Sequence, residues 1–279
     1  MRPTILTFSC PDRPGIVHAI TGAIVACAGN ILELQQFSSV DTGRFVVRVL
    51  PELPEAADFG SQITQVANDF DASWEVHDPA QPTRTLILVS KAGGPLNDLL
   101  FRARQGHFPI DVSLVMGNHP DLGDLAAFHG VDFEWQPVDA QSKAQFEDRV
   151  RQVIVERDIE LVVLARYMQI ISPELCAELA GKMINIHHSF LPGFKGANPY
   201  RQAHSRGVKL IGATAHFVTS DLDEGPIIQQ NVTRVDHTHS VPQLTAIGQG
   251  LESQTLSQAV RLFAEKRIFL DGVRTVIFD

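Results

Sequence analysis

Ile16, Ile20, Ala23, Ile24 and Cys27 recur at three- and four-residue intervals, which puts them on one face of a helix. Gly29-Asn30 is a natural stop for it. Ahead of that helix the run TILTFSC reads as a strand, broken by PDRPG. Two further strands are expected around VDTG. In the second, Phe45, Val47 and Val49 alternate with the polar Arg44 and Arg48, the period of a half-buried strand. Phe59, Ile63, Val66, Ala67 and Phe70 form a second helical stripe. A short strand follows, with Trp74 and Val76 facing one way and Glu75 and His77 the other. The order β-α-β-β-α-β predicts a ferredoxin-like split-βαβ domain, with two helices on one face of an antiparallel sheet.

The pattern changes after DPAQPTR, which holds two prolines and no large apolar side chain and so reads as a linker. A boundary near Ala80–Arg84 divides the chain into domains at 1–80 and 84–279. Beyond it TLILVS is an almost unbroken apolar strand, the kind buried on both faces of a parallel sheet. IDVSLVMGN, LVVLA and MINI repeat the theme, with helices expected around Lys143–Glu156 and Pro173–Leu179. Strands alternating with helices predict a doubly wound, mostly parallel α/β domain, so the chain as a whole is of the α/β class. ATAHFV and GPIIQQNVTRV add strands, a long helix spans about Val241 to Glu265, and RIFLDGVRTVIF ends the domain as a hairpin turning at Asp271-Gly272.

Composition narrows the partners. The 279 residues are 44% hydrophobic and 20% charged, with mean hydropathy near zero and a net charge of −9. No Lys/Arg-rich run is present, which argues against nucleic acid and anionic membranes as partners. The start MRPTIL is too short in apolar length for a signal peptide, and no run is long enough to span a bilayer. Cys10, Cys27 and Cys176 are scattered without C-x-x-C spacing, which fits a reducing compartment and a cytoplasmic location.

Candidate chemistry begins where a buried strand turns polar, in MINIHHSFLP. Residues two apart on a strand share a face, so Asn185 and His187 point together while Ile186 and His188 point away. An amide donor beside an imidazole is a usable pair against a carbonyl oxygen on which charge develops. Such a pair needs a carboxylate, and HFVTSDLDEGPII offers one. Asp221, Asp223 and Glu224 are all candidates by spacing alone. The eleven histidines include His237 and His239 in DHTH, but no H-E-x-x-H or Cys/His cluster stands in the chain and no metal is expected. A solvated loop is the expectation there, with Ser240 as the N-cap of the helix that follows.

The block NIHHSFLPGFKGANPYRQAHSRGVKLIGATAHFVTSDLDEGPII resembles the signature of the formyltetrahydrofolate-dependent formyl-transfer fold. Within that superfamily the chain most resembles the formyltetrahydrofolate deformylases, over essentially its whole length. The N-x-H-x-S-x-L-P element stands as Asn185, His187, Ser189, Leu191 and Pro192, and the H-F-V-x-x-x-x-D element as His216, Phe217, Val218 and Asp223. The resemblance implies hydrolysis of 10-formyltetrahydrofolate to formate and tetrahydrofolate, with Asn185, His187 and Asp223 as the catalytic trio. The folate is then substrate, no further cofactor is needed, and the formate supplies purine biosynthesis and balances one-carbon pools. The folate pocket it implies includes Arg166, Tyr167, Met168 and Ile171 of LARYMQIIS, with Val218, Ser220 and Asp221. Asn118 and His119 are candidates for its rim.

SCPDRPGIVHAITGAIVACAGNI resembles the opening of an ACT domain. That implies a small regulatory amino acid near Asp12, Arg13 and Gly15, and assembly into a homo-oligomer. The turn carries Pro early in a helix and free N–H groups, which suits a carboxylate. The loop SKAGGPLNDLL lacks the Ser-Gly-x-Gly-[Ser/Thr] phosphate run of glycinamide ribonucleotide transformylases, and Gly94-Pro95 stands where the deformylases carry His-Cys. Formyl transfer to a small amine (a nucleotide or amino sugar) is the alternative activity. An inactive ACT-type amino-acid sensor is the alternative outside catalysis.

Overall fold

Alternating apolar positions at the start of the chain form strands that pair antiparallel, and the two helical stripes dock on one face of the sheet they make. The computed structural model describes residues 1–191 and 199–279; Pro192 of the N-x-H-x-S-x-L-P element lies outside the described residues. The elements run β1 (Arg2–Pro3), β2 (Ile5–Pro11), α1 (Ile16–Ala26), β3 (Asn30–Ser39), β4 (Arg44–Leu53), α2 (Phe59–Phe70) and β5 (Ser73–His77). Strand order β3-β4-β2-β5, with β1 on the other end of β4, is the βαββαβ arrangement of the sequence reading. Leu6, Phe8, Phe45, Val47 and Val49 of the sheet meet Ile16, Ile20, Ile24, Phe59 and Ile63 of the helices in one buried core.

Helix α1 stops one residue earlier than the glycine suggests. Ala28 takes the left-handed turn at φ 53°, and Gly29 is needed for space instead. A Cβ at Gly29 would lie 2.5 Å from Leu53 Cδ2 and 3.1 Å from the Ile24 carbonyl oxygen. Gly29→Ala is therefore expected to destabilise this unit by about 1–3 kcal/mol, as overpacking does. Urea unfolding checks it, and a change below about 0.5 kcal/mol, the level of an ordinary surface substitution, refutes it.

The second sheet begins at β6 (Thr83–Val89) and continues through α3 (Gly94–Arg104), β7 (Ile110–Gly117), α4 (Gly123–Phe128), β8 (Phe133–Trp135) and α5 (Lys143–Glu156). Then come β9 (Leu161–Ala165), α6 (Pro173–Glu178), β10 (Met183–His187), α7 (Pro199–Arg206), β11 (Leu210–Phe217), β12 (Ile227–Arg234) and α8 (Val241–Ala264). The order is β12-β11-β10-β9-β6-β7-β8. Strands β6 to β10 run parallel, and β11 and β12 join antiparallel at one edge. The central strands are buried on both faces, as their unbroken apolar runs require.

The last fifteen residues break the expected division. The chain forms two compact units, Met1–Pro82 with Glu265–Asp279, and Thr83–Ala264. The hairpin of β13 (Ile268–Asp271) and β14 (Arg274–Ile277) thus belongs to the first unit, whereas the boundary read from sequence gives it to the second. Its Phe269 and Phe278 pack on Val46, which β4 presents on the face away from the helices. Arg48, on that same supposedly polar face, is 3% exposed and donates to the Glu265 carbonyl (3.1 Å) and to Glu33 (3.2 Å). Arg267 reaches Glu33 as well, and Asp271 accepts from Ser39 at 2.7 Å. The alternation in β4 marks two faces correctly. It cannot say that both are covered.

Candidate active site

Cross-strand register assembles the site. Antiparallel pairing of β10 with β11 sets Asn185 opposite His216 and His187 opposite Thr214, at the carboxyl end of the parallel strands. The segment after β10 is tied down by Thr214, which donates to the Ser189 carbonyl (3.0 Å) and accepts from the Leu191 N–H (3.1 Å). After β11 the chain turns through 218–226. Phe217 N–H donates to the Pro226 carbonyl at 2.9 Å, and Gly225 lies so close to the Phe217 carbonyl that any Cβ would collide with it. This closure, with Asp223 at a left-handed φ of 59°, turns the Asp223 side chain inward. Asp221 and Glu224 remain exposed. Geometry thereby separates three acids that spacing leaves equivalent.

Asp223 Oδ2 lies 3.1 Å from His187 Nδ1, and Oδ1 lies 3.7 Å from His216 Nε2. The His187 hydrogen bond holds the Asp223 carboxyl well below the usual carboxylate range. A carboxylate only accepts, so His187 Nδ1 carries the proton and Nε2 is the atom turned to other partners. Among the described residues that buried Nε2 has no hydrogen-bond partner. His216 is 2% exposed and donates from Nδ1 to the Phe217 carbonyl at 2.8 Å. Its Nε2 then accepts from the Asn185 amide at 3.3 Å, which fixes the amide orientation and leaves the second amide N–H of Asn185 available. The sequence motif contains His216 but assigns it no role. The cross-strand pair with Asn185 becomes visible only once β10 and β11 are in register.

An open cleft of about 380 Å³ lies against these groups. Arg166, Tyr167, Met168, Ile171, Val218, Ser220 and Asp221 line it, with Asn185, His187 and Asp223. Their contributions differ. Tyr167 is stacked on Phe146 (centroids 5.7 Å apart) and with Ile171 belongs to the core beneath the cleft. Burial pushes the Tyr167 phenol up, so it stays neutral. Met168, Ile170 and Leu222 are 61%, 64% and 63% exposed, an apolar rim suited to a flat ring system. Ile170 and Leu222 carry no motif that would mark them in advance. The loop between β9 and α6 is pinned at both ends, where Met168 N–H donates to Ser90 Oγ and Ser172 N–H to the buried Glu147, each at 2.9 Å.

Other expected positions fall elsewhere. Asn118 and His119 do not line the cleft; Asn118 is buried at the end of β7 because its backbone continues the β6 pairing, its N–H donating to the Val89 carbonyl. Gly93 caps α3 with φ −88°, so the Gly93-Gly94 pair is an ordinary helix entry with Pro95 in the first turn. His239 pairs with Asp236 at 2.9 Å in an exposed loop, and Ser240 donates to Gln243. Among the described residues no cluster of three or more His, Cys, Asp or Glu side chains is spaced for a metal ion. No helix among them is long and apolar enough to cross a membrane. In the first unit Gly15, at φ 99°, caps α1, which leaves Pro14 outside the helix rather than in its first turn. Asp12 N–H donates to the Gly43 carbonyl at 2.8 Å, and Arg13 lies over the Phe70 ring (4.6 Å) and contacts the Asp69 carbonyl.

Comparison with known proteins agrees with this architecture. Residues 83–260 match the family model described as formyl transferase. The chain is 47% identical to the formyltetrahydrofolate deformylase of Corynebacterium sp. (strain P-1), across 98% of this chain and 97% of that one. The crystal structure of formyltetrahydrofolate deformylase from Burkholderia mallei ATCC 23344 superposes with a TM-score of 0.96 at 47% identity, covering 100% of both chains. A glycinamide ribonucleotide transformylase from Symbiobacterium toebii is similar over 71% of this chain and 95% of its own, with a TM-score of 0.67 at 33% identity.

Proposed function

This chain belongs to the formyltetrahydrofolate deformylase family, and from that premise we propose that it hydrolyses 10-formyltetrahydrofolate through Asn185, His187 and Asp223. The observation that carries the assignment of residues is the His187–Asp223 pair at 3.1 Å, beside a cleft and with His187 Nε2 left over. The folate ring system lies against the rim of Met168, Ile170 and Leu222 and the backbone of Val218–Asp223. The formyl oxygen faces the free amide N–H of Asn185 and the Nε2–H of protonated His187. Water, held by Asp223, attacks the formyl carbon. A C–O bond forms, and the oxyanion is stabilised by the two donors. Collapse breaks the C–N10 bond. N10 takes one proton of the water and the other leaves with formic acid, which ionises. The step balances with water alone.

Asp223 is poorly suited to keep a proton, because His187 holds its carboxyl down. Its work is to orient the water and to hold the His187 ring through Nδ1. The test is steady formate release from 10-formyltetrahydrofolate in buffer free of amines. Folate binding without formate would refute hydrolysis and favour the amine transferase.

The first unit is assigned an ACT-type regulatory role with a small amino acid near Asp12, Arg13 and Gly15. The βαββαβ order supports it. Strand β3 lies outermost on β4 and exposes Leu32 (53%) and Phe37 (45%), which suits pairing with a second copy of the chain. Three free cysteines fit a cytoplasmic enzyme, and the formate serves purine synthesis and one-carbon balance.

A further inference from the structure

Arg166 is held where an arginine is costly. It follows β9 with φ 63°, a left-handed conformation that strains any residue with a Cβ and costs glycine nothing. A side chain kept at such a position is doing something a glycine cannot. Its guanidinium donates from Nη1 to Glu252 Oε2 at 3.1 Å, and Glu252 is 1% exposed on α8. The other oxygen of Glu252 accepts from the Tyr200 hydroxyl at 2.6 Å. The Tyr200 ring in turn lies on the backbone of α8 at Gly248, so closely that any Cβ there would overlap it. The three side chains and the glycine make one packed bridge from the cleft wall to α8.

The position of the bridge gives it meaning. Arg166 lines the cleft beside His188, whose ring lies 4.9 Å from that of His187. Burial, and then the Arg166 charge, push the His188 imidazole down to about 4, which keeps it neutral. One residue beyond Glu252, Ser253 stands next to Gly94 at the start of α3. In open α/β sheets ligands sit beyond the carboxyl ends of the strands. The bridge runs from Arg166 in the cleft wall to α8, and the cleft itself is lined by 166–171 and 218–223.

We propose that the Arg166–Glu252–Tyr200 bridge is the device that restricts the formyl acceptor to water. It fills, with packed and charge-paired side chains, the approach a primary amine would need to reach the carbonyl from the side opposite the folate. This rests on the hydrolase reading above. Water is small enough to enter beside Asp223; a substituted amine is not. Opening the bridge would let an amine nitrogen attack the formyl carbon, forming a C–N bond as C–N10 breaks, with the amine proton passing to N10.

The experiment measures partition. Wild type, Arg166→Gly and Tyr200→Ala are each given 10-formyltetrahydrofolate with glycinamide, and N-formylglycinamide and formate are quantified together. The ratio of the two products is insensitive to a general loss of rate. It is expected to rise at least tenfold in both variants, with wild type giving formate almost alone. If Tyr200→Ala does not fold, Arg166→Gly decides the matter, since glycine suits that backbone. An unmoved ratio in Arg166→Gly, with wild type releasing formate, overturns the inference alone. Wild type that forms N-formylglycinamide and no formate overturns the hydrolase reading with it.

Discussion

Replacing Asp223 by Asn is expected to lower formate release by about 10³–10⁴-fold, the size seen when the carboxylate behind a catalytic histidine becomes an amide. The loss has two sources. His187 Nδ1 donates to Asp223 Oδ2 across 3.1 Å, and an amide oxygen, uncharged, accepts that hydrogen bond more weakly than the carboxylate does. The His187 ring also loses the partner that fixes its orientation, and the oxyanion loses a well-placed donor. Single-turnover formate release in amine-free buffer measures this, and a rate within tenfold of wild type would remove Asp223 from the chemistry. Stability gives an independent check. A carboxyl depressed in the folded state contributes stability at pH values above its ordinary 3.8, and loses that contribution as pH falls toward the lower folded value. Asp223→Asn should therefore unfold at lower urea than wild type at neutral pH, and the gap should begin to close below 3.8.

Asn185→Ala is expected to cost about 10²–10³ in kcat, the usual effect of removing one oxyanion donor, with a much smaller change in KM. The split follows from where the amide acts. One N–H is engaged by His216 Nε2 at 3.3 Å, and the remaining one has value only once charge develops on the formyl oxygen. The substitution also strands His216 Nε2 in a site 2% exposed, so a modest loss of stability accompanies the loss of rate. A kcat near wild type would refute the role of Asn185. A rise in KM with kcat retained would make it a folate contact instead.

Much of this protein is legible in the order of its side chains, because period and punctuation are local. The stripe Ile16, Ile20, Ala23 and Ile24 is one buried helical face, and the alternation in β4 marks two faces of a strand. The apolar runs TLILVS and LVVLA are strands of a largely parallel sheet. Asn185 and His187 share a face because strand residues two apart must. What is local stops there. Which of Asp221, Asp223 and Glu224 faces His187 depends on a left-handed turn and on Gly225 packing against the Phe217 carbonyl. The role of His216 depends on the register between β10 and β11. The hairpin at 268–277 has the same local form whichever unit it covers, and only its packing on Val46 and the buried Arg48 decide that it completes the first. Glu252 sits in a helix 86 residues from Arg166 with nothing around it to distinguish it from a solvated acid. Sequence periodicity records which face of an element is buried. Partners brought together across the chain are chosen by packing, and packing exists only in three dimensions.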